Sequence, residues 1–341
     1  MLGLEPSEFV GQVLESRYRI EQHLGSGAMG SVFRARHVRL PRAFAVKLLH
    51  PRLLSDTKLR KRFVREAELA GRLSHRNVVA VLDFGEVQDA VYLVMELAIG
   101  SPLSLALAHT PFDSQRMIHF ARQLCDGLDH AHHHGLVHRD LKPDNVIVES
   151  TSEGDVARII DFGIALLRES TDAPGERLTT GGLVLGTPHY MAPEVATSKA
   201  FDHRADLFAL GVICYEMLTG RLPFDGDGVD VAHANVNQDV PPMRFRAPGI
   251  DVLPALEAFT RKLLARDPAN RFVSAAAARR CLDDIARDVA ENRDWWAAQP
   301  TVTTPAVPDS LAIGSAKTVA IATLEQPRVT AEQPPKRRDE P

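Results

Sequence analysis

The chain has 341 residues, 45% hydrophobic and 25% charged, which is the balance of a soluble globular protein with room for two or more lobes and excludes a fibre or a coiled coil. Forty Lys and Arg against 44 Asp and Glu give a net charge of -4, so there is no global basic field and nucleic acid is not an expected partner. No run approaches the roughly 20 apolar residues of a membrane span, Met1 to Arg19 lacks the basic start and apolar centre of a signal peptide, and Cys125, Cys214 and Cys281 are too scattered for a disulfide set; a reducing, cytoplasmic setting without membrane contact is expected.

Residues 1–17 form an N-terminal extension. From Tyr18 to Leu97 short alternating segments dominate (YRIEQHLG, SVFRARHV, AFAVKLLH, VVAVLDFGE, VYLVMEL), predicting four or five strands with one amphipathic helix, LRKRFVREAELAGRL, among them. From residue 98 to 285 helical patterns take over, as in MIHFARQLCDGLDHAHHHG, ADLFALGVICYEMLTG and SAAAARRCLDDIARDVAENRDWW. Residues 286–341 hold the end of the last helix and then a stretch rich in Pro, Thr, Ala and Val without periodicity, read as a disordered tail. The expected architecture is α+β in two lobes, the first rich in strands and the second mainly helical.

Three stretches carry chemistry. In LGSGAMGSVF, Gly25, Gly27 and Gly30 stand in G-x-G-x-x-G spacing with Val32 two residues on. A dinucleotide fold would need a helix after the glycines. Here Ser31 to Val38 alternates like a strand, so the loop joins two strands as a flap over a ligand, where backbone amides can approach phosphate oxygens; an ordinary Gly-rich hairpin is the other reading. Lys47, a lone cation among apolar neighbours on a strand, needs a carboxylate partner, and Glu66 or Glu68 on the following helix would supply it. Then HRDLKPDN, His138 to Asn145, is followed by IIDFGIA, where Asp161 ends an apolar run beside a turn. A carboxylate at a strand end with the amide oxygen of Asn145 suits Mg²⁺ bound together with phosphates. Asp140 at the mouth of the same cleft would accept or orient a hydroxyl proton, and Lys142 would offset charge on a transferred phosphoryl group.

In this order the motifs resemble those of the eukaryotic-type serine/threonine protein kinases in the form found in bacteria, from Tyr18 to about Ile285: the glycine loop, Lys47 with Glu66, HRDLKPDN, DFG at Asp161 to Gly163 and APE at Ala192 to Glu194. The resemblance implies the bilobal kinase fold, ATP and Mg²⁺ as cofactors, and transfer of the γ-phosphoryl group to Ser or Thr hydroxyls of protein substrates. It selects Glu66 over Glu68 as partner of Lys47, pairs Glu194 with Arg271, makes Asp206 the brace of the catalytic loop, places Met95 as gate of the adenine pocket, and has Glu96 to Ala98 offer hinge backbone groups. Lys142 and GTPHYMAPE resemble the serine/threonine pattern, in which Thr187 touches both Asp140 and Lys142. Arg139 is the residue with which relatives regulated by loop phosphorylation bind the added phosphate, and Thr179 and Thr180 are the candidate acceptors. A pseudokinase or scaffold that keeps the fold without catalysis is the alternative, but such a site would have lost one of Lys47, Asp140, Asn145, Asp161 or the glycines.

HAHHHG, with His130 and His132 to His134, has the composition of a metal cluster, yet the resemblance implies a histidine-rich helix end there, so most of these imidazoles are expected to be solvated. PKRR near the C-terminus reads as solvated tail, and Trp295 and Trp296 either pack the last helix or bind a partner. Tail residues Thr301, Thr303, Thr304, Thr318, Thr323 and Thr330 are tethered to the kinase, which favours phosphorylation in cis or within a transient homodimer. Thr318 is then the first candidate for docking a phosphothreonine-reading partner, and an inert linker is the other reading.

Overall fold

Strand alternation builds the first lobe of the computed structural model, which describes residues 6–27, 30–50, 57–87, 90–162, 188–197 and 200–291. The strands β1 (Val13–Leu14), β2 (Tyr18–Gly27), β3 (Gly30–His37), β4 (Ala43–Leu49), β5 (Val81–Val87) and β6 (Ala90–Glu96) form one antiparallel sheet in the order β1-β2-β3-β4-β6-β5. On β4, Phe44, Val46 and Leu48 point to one face and join Leu14, Ile20, Phe33, Ala35, Tyr92 and Val94 in a core. On the other face Leu49, Val91 and Leu93 pack on helix α1 (Thr57–Ala70) through Phe63 and Ala67, which are one helical turn apart. The short β1 brings part of the N-terminal extension into this sheet, and its Leu14 is buried.

The second lobe contains β7 (Ser101–Pro102), α2 (Leu103–Leu107), α3 (Ser114–His133), β8 (Val146–Thr151), β9 (Gly154–Ile159), α4 (Pro193–Ala196), α5 (Arg204–Thr219), α6 (Gly228–Asn237), α7 (Met243–Arg246), α8 (Pro254–Leu263) and α9 (Ala275–Glu291). Helix α3 starts where the Asp113 side chain accepts the Arg116 N–H at 2.8 Å, and it turns Met117, Phe120, Ala121, Leu124 and Leu128 inward at helical spacing. Helix α5 is apolar all round and is correspondingly buried on nearly every side, so it forms the axis of this lobe. It stops at Gly220, whose φ of 67° is a left-handed conformation that glycine adopts without strain.

The lobes meet through main chain. After α1, residues 71–80 run beside β9: Ile159 N–H donates to Asn77 O at 2.8 Å and Val79 N–H to Ile159 O at 2.9 Å. The buried Asn77 amide donates to Ala157 O and Gln123 Oε1, both at 2.8 Å. Met95, Val79, Ala98 and Ile147 fill the junction with an apolar cluster. Among the described residues no helix is long and apolar enough to cross a membrane. Gly163, Thr179, Thr180, Thr187 and the tail from residue 292, including Trp295, Trp296 and the tail threonines, lie outside the described residues.

Candidate active site

The segment His138 to Asn145 joins α3 to β8 and is held from below by one carboxylate. Asp206, on the first turn of α5 and 1% exposed, accepts the His138 N–H on Oδ2 and the Arg139 N–H on Oδ1, each at 2.8 Å. His132 Nε2 lies 2.8 Å from the same Oδ2. Burial pushes the Asp206 carboxyl up, but the hydrogen bond to His132, the bond from the His138 N–H and the electrostatic influence of these two residues outweigh this and hold it below the ordinary aspartate value. Arg139 needs such a restraint, because its φ of 68° is uncommon for a residue with a Cβ. His138 carries the connection upward: its Nε2 meets Ile160 O at 2.8 Å, its Nδ1 accepts the Asp140 N–H at 3.3 Å, and its ring packs edge-on against Phe162 at 4.8 Å. An Nδ1 that accepts fixes the proton on Nε2, which donates to Ile160.

The polar groups above this base converge. Asn145 Nδ2 donates to Asp140 O at 2.7 Å and lies 3.4 Å from Asp140 Oδ2, and Lys142 Nζ is 3.6 Å from the same Oδ2. Asp161, just beyond β9, has a φ of 66°, so it too is a non-glycine residue in the left-handed region. Its Oδ2 is 2.7 Å from Nζ of Lys47, a buried cation on β4. Sheet register puts Lys47 opposite Val32 on β3, and Ala45 opposite Met95 on β6. The glycine flap is a hairpin of β2 and β3 in which Gly27 faces Gly30. A Cβ on Gly30 would lie 1.9 Å from Leu48 O, so only glycine fits there, whereas a Cβ on Gly27 would meet nothing within 4 Å. Gly27 therefore has open space beside its backbone.

The residues present fit ATP and Mg²⁺. Lys47 supplies a cation, the open Gly27 backbone supplies a close approach for phosphate, and Asp161 with Asn145 supplies hard oxygen donors. At the hinge Met95 and Ala98 are buried, while Glu96 N–H is committed to Ala80 O at 3.0 Å and the Glu96 side chain is clamped by Arg158, with Arg42 at 3.6 Å.

One expected arrangement is corrected. Lys47 pairs with Asp161, not with Glu66; Glu66 Oε1 instead lies 3.4 Å from Arg139 Nη1. The physical reason is position: Lys47 points along the cleft to the chain just past β9, while the inner face of α1 overlooks the catalytic loop, where left-handed Arg139 presents its guanidinium. Of the four histidines, His133 and His134 are exposed, as expected, and His130 is half-buried in a stack with His75, while only the His132 side chain is covered, against Asp206. Glu194 and Arg271 do meet, in a buried fork of 2.6 and 2.8 Å, with the remaining Arg271 donors on Ala265 O, Arg204 O and Arg266 O. Three supporting residues had no role assigned from sequence: Arg158, His132, which lay within HAHHHG, and Tyr190, which lay within GTPHYMAPE and whose hydroxyl donates to Glu216 at 2.6 Å. For His132 the signal was available, because helical spacing puts it on the opposite side of α3 from His130 and His134.

Residues 18–282 match the family model described as protein kinase domain. The chain is 42% identical over 277 residues to serine/threonine-protein kinase pkn3 of Myxococcus xanthus, covering 80% of this chain and 50% of that protein. It is 40% identical over 276 residues to serine/threonine-protein kinase PknB of Mycolicibacterium smegmatis, covering 79% and 43%. The crystal structure of the Mycobacterium tuberculosis PknI kinase domain superposes with a TM-score of 0.63 at 27% identity, covering 80% of this chain and 98% of that one. The chain spans half or less of the length of these two curated relatives. With its glycine flap, catalytic loop and strand-end aspartate joined in one cleft, the chain belongs to the protein kinase family.

Proposed function

We propose that this chain is an ATP- and Mg²⁺-dependent kinase that phosphorylates Ser and Thr hydroxyls of proteins in bacterial signalling. The observation that carries this is that Asn145 donates to Asp140 at 2.7 Å with Lys142 in an ion pair to the same aspartate at 3.6 Å, while Lys47 on β4 pairs with Asp161 just past β9 at 2.7 Å. When bound, Mg·ATP supplies the phosphoryl group and neutralises its charge. Asp140 accepts or orients the proton of the acceptor hydroxyl, Lys142 offsets charge on the oxygens in transit, Asn145 and Asp161 hold the metal, and Lys47 holds phosphate. Val32, Ala45, Met95 and Ile147 wall the base, and Gly25, Gly27 and Gly30 cover the phosphates. Domain bounds of 18–97 and 98–285 go with this reading, as does a cytoplasmic setting, supported by three free cysteines.

Arg139 supports activation by loop phosphorylation at Thr179 or Thr180: its Nε is buried without a hydrogen-bond partner among the described residues, so its guanidinium has capacity for another acceptor. Glu66 already touches that guanidinium, so a phosphate drawing Arg139 toward itself would weaken that contact. Thr187 positioning the acceptor hydroxyl, a phosphothreonine-reading partner at the tail and a transient homodimer belong to the same proposal. Incubation with γ-labelled ATP, Mg²⁺ and a generic protein acceptor, followed by phosphoamino-acid analysis, tests it. Label on serine and threonine supports the reading, whereas label on tyrosine alone, or none at all, refutes it.

A further inference from the structure

We propose that the stacked imidazoles of His75 and His130 are a proton-sensitive latch, which ties the chain after α1 to the second lobe when neutral and releases it when protonated. His75 belongs to the link between α1 and β5, and His130 to the last turn of α3. Their rings stack at 5.1 Å with 24° between planes, and His134, one helical turn further on, packs against His130 at 4.6 Å. Each ring accepts a backbone N–H of the link: Ser74 N donates to His130 Nε2 at 3.3 Å, and Asn77 N donates to His75 Nδ1 at 3.2 Å. Both accepting nitrogens must carry a lone pair, so a second proton on either ring sets donor against donor, and protonation of both brings two cations face to face.

The charged groups around the pair do not offset this. Arg76 on the link is positive. On α3, Asp126 is engaged by Arg279 of α9 at 3.2 Å, while Asp129 accepts the Ala276 N–H at 3.0 Å and lies 3.3 Å from His133. Burial lowers His75, with Arg76 pulling the same way and Asp126 opposing; burial, then His134, His75 and His133, lower His130 against Asp129. Groups held below their ordinary value stabilise the closed form above about pH 6.5 and lose that contribution as pH falls through their own lowered values. The opening equilibrium then rises by up to about tenfold per pH unit for each ring. The link matters because Asn77 is sewn to β9 and because α1, immediately before it, carries Glu66.

The latch does not rest on the transfer chemistry, and neither does its test. Histidine-labelled full-length protein is titrated by NMR, and hydrogen exchange at the Ser74 and Asn77 amides is followed from about pH 7.5 to about pH 5.5, corrected for intrinsic rates. Both rings should titrate below the ordinary histidine value of about 6.5, and amide protection should fall by about tenfold or more. A His75→Asn/His130→Gln variant keeps an accepting oxygen at each place without titrating, and its protection should stay flat. Rings that titrate at or above the ordinary histidine value of about 6.5, wild-type protection that does not change, or a variant that loses as much as wild type would overturn the proposal; the first two need no variant to fold.

Discussion

Replacing Asp206 by Asn tests how the catalytic loop is held. The carboxylate takes three hydrogen bonds, from the His138 and Arg139 N–H groups and from His132, each at 2.8 Å. A carboxamide keeps one oxygen and turns an NH₂ toward the other partners, so at least one buried backbone N–H faces a donor. Losing a hydrogen bond to a charged group and stranding its partner costs about 2–3 kcal/mol. The left-handed backbone of Arg139 leans on the same contact, and strain of that kind amounts to about 1–3 kcal/mol. That strain is already present in the wild type and is relieved if the loop relaxes, so it does not add to the loss; the variant should lose about 2–3 kcal/mol of an expected ~5–15 kcal/mol. Denaturant unfolding with an unchanged m-value measures the loss. In kinetics, kcat should fall while KM for ATP moves little, because Lys47 and the hinge are untouched. Acid dependence gives a second check: the wild-type carboxyl is held below its ordinary value of 3.8, so its contribution is present above that value and disappears as pH falls through the lowered one. The Asp206→Asn protein should lack that part of the profile. A variant with stability within about 1 kcal/mol of wild type and an unchanged kcat would refute the bracing role.

Asp161→Asn should remove the Mg²⁺ dependence of nucleotide affinity, measured by calorimetry with and without the metal; an unchanged Mg²⁺ effect would place the metal elsewhere. Arg271→Lys cannot reproduce the fork to Glu194 or the three carbonyl contacts, and breaking that buried pair should cost about 3–5 kcal/mol by chemical denaturation. A Thr179→Ala/Thr180→Ala protein should lose the phosphate that mass spectrometry finds on this segment after ATP treatment and should be less active; undiminished activity counts against the switch.

Much of this was legible because local rules and global packing agree. The alternation of AFAVKLL does place Phe44, Val46 and Leu48 in one core and Lys47 on the other face, and the uniformly apolar LFALGVICYEML does become the buried axis. The pairing of Glu194 with Arg271, separated by 77 residues, came from the family pattern, since no spacing rule spans that distance. The partner of Lys47 was not legible: candidates on α1 and beyond β9 carry the same charge, and which one lies nearest depends on how α1 sits over the catalytic loop. The two-residue β1 is too short to show alternation. In HAHHHG composition masked periodicity, since one helix turned His132 inward to Asp206 and His130 toward His75.

Single-turnover transfer from γ-labelled Mg·ATP, with nucleotide saturating and an acceptor protein present, compares wild type with Asp140→Asn most directly. If Asp140 handles the acceptor proton, the variant binds Mg·ATP with near wild-type affinity while its transfer step slows by about 10²–10⁴. Transfer by Asp140→Asn at the wild-type rate would contradict the assignment of this cleft as the place of phosphoryl transfer.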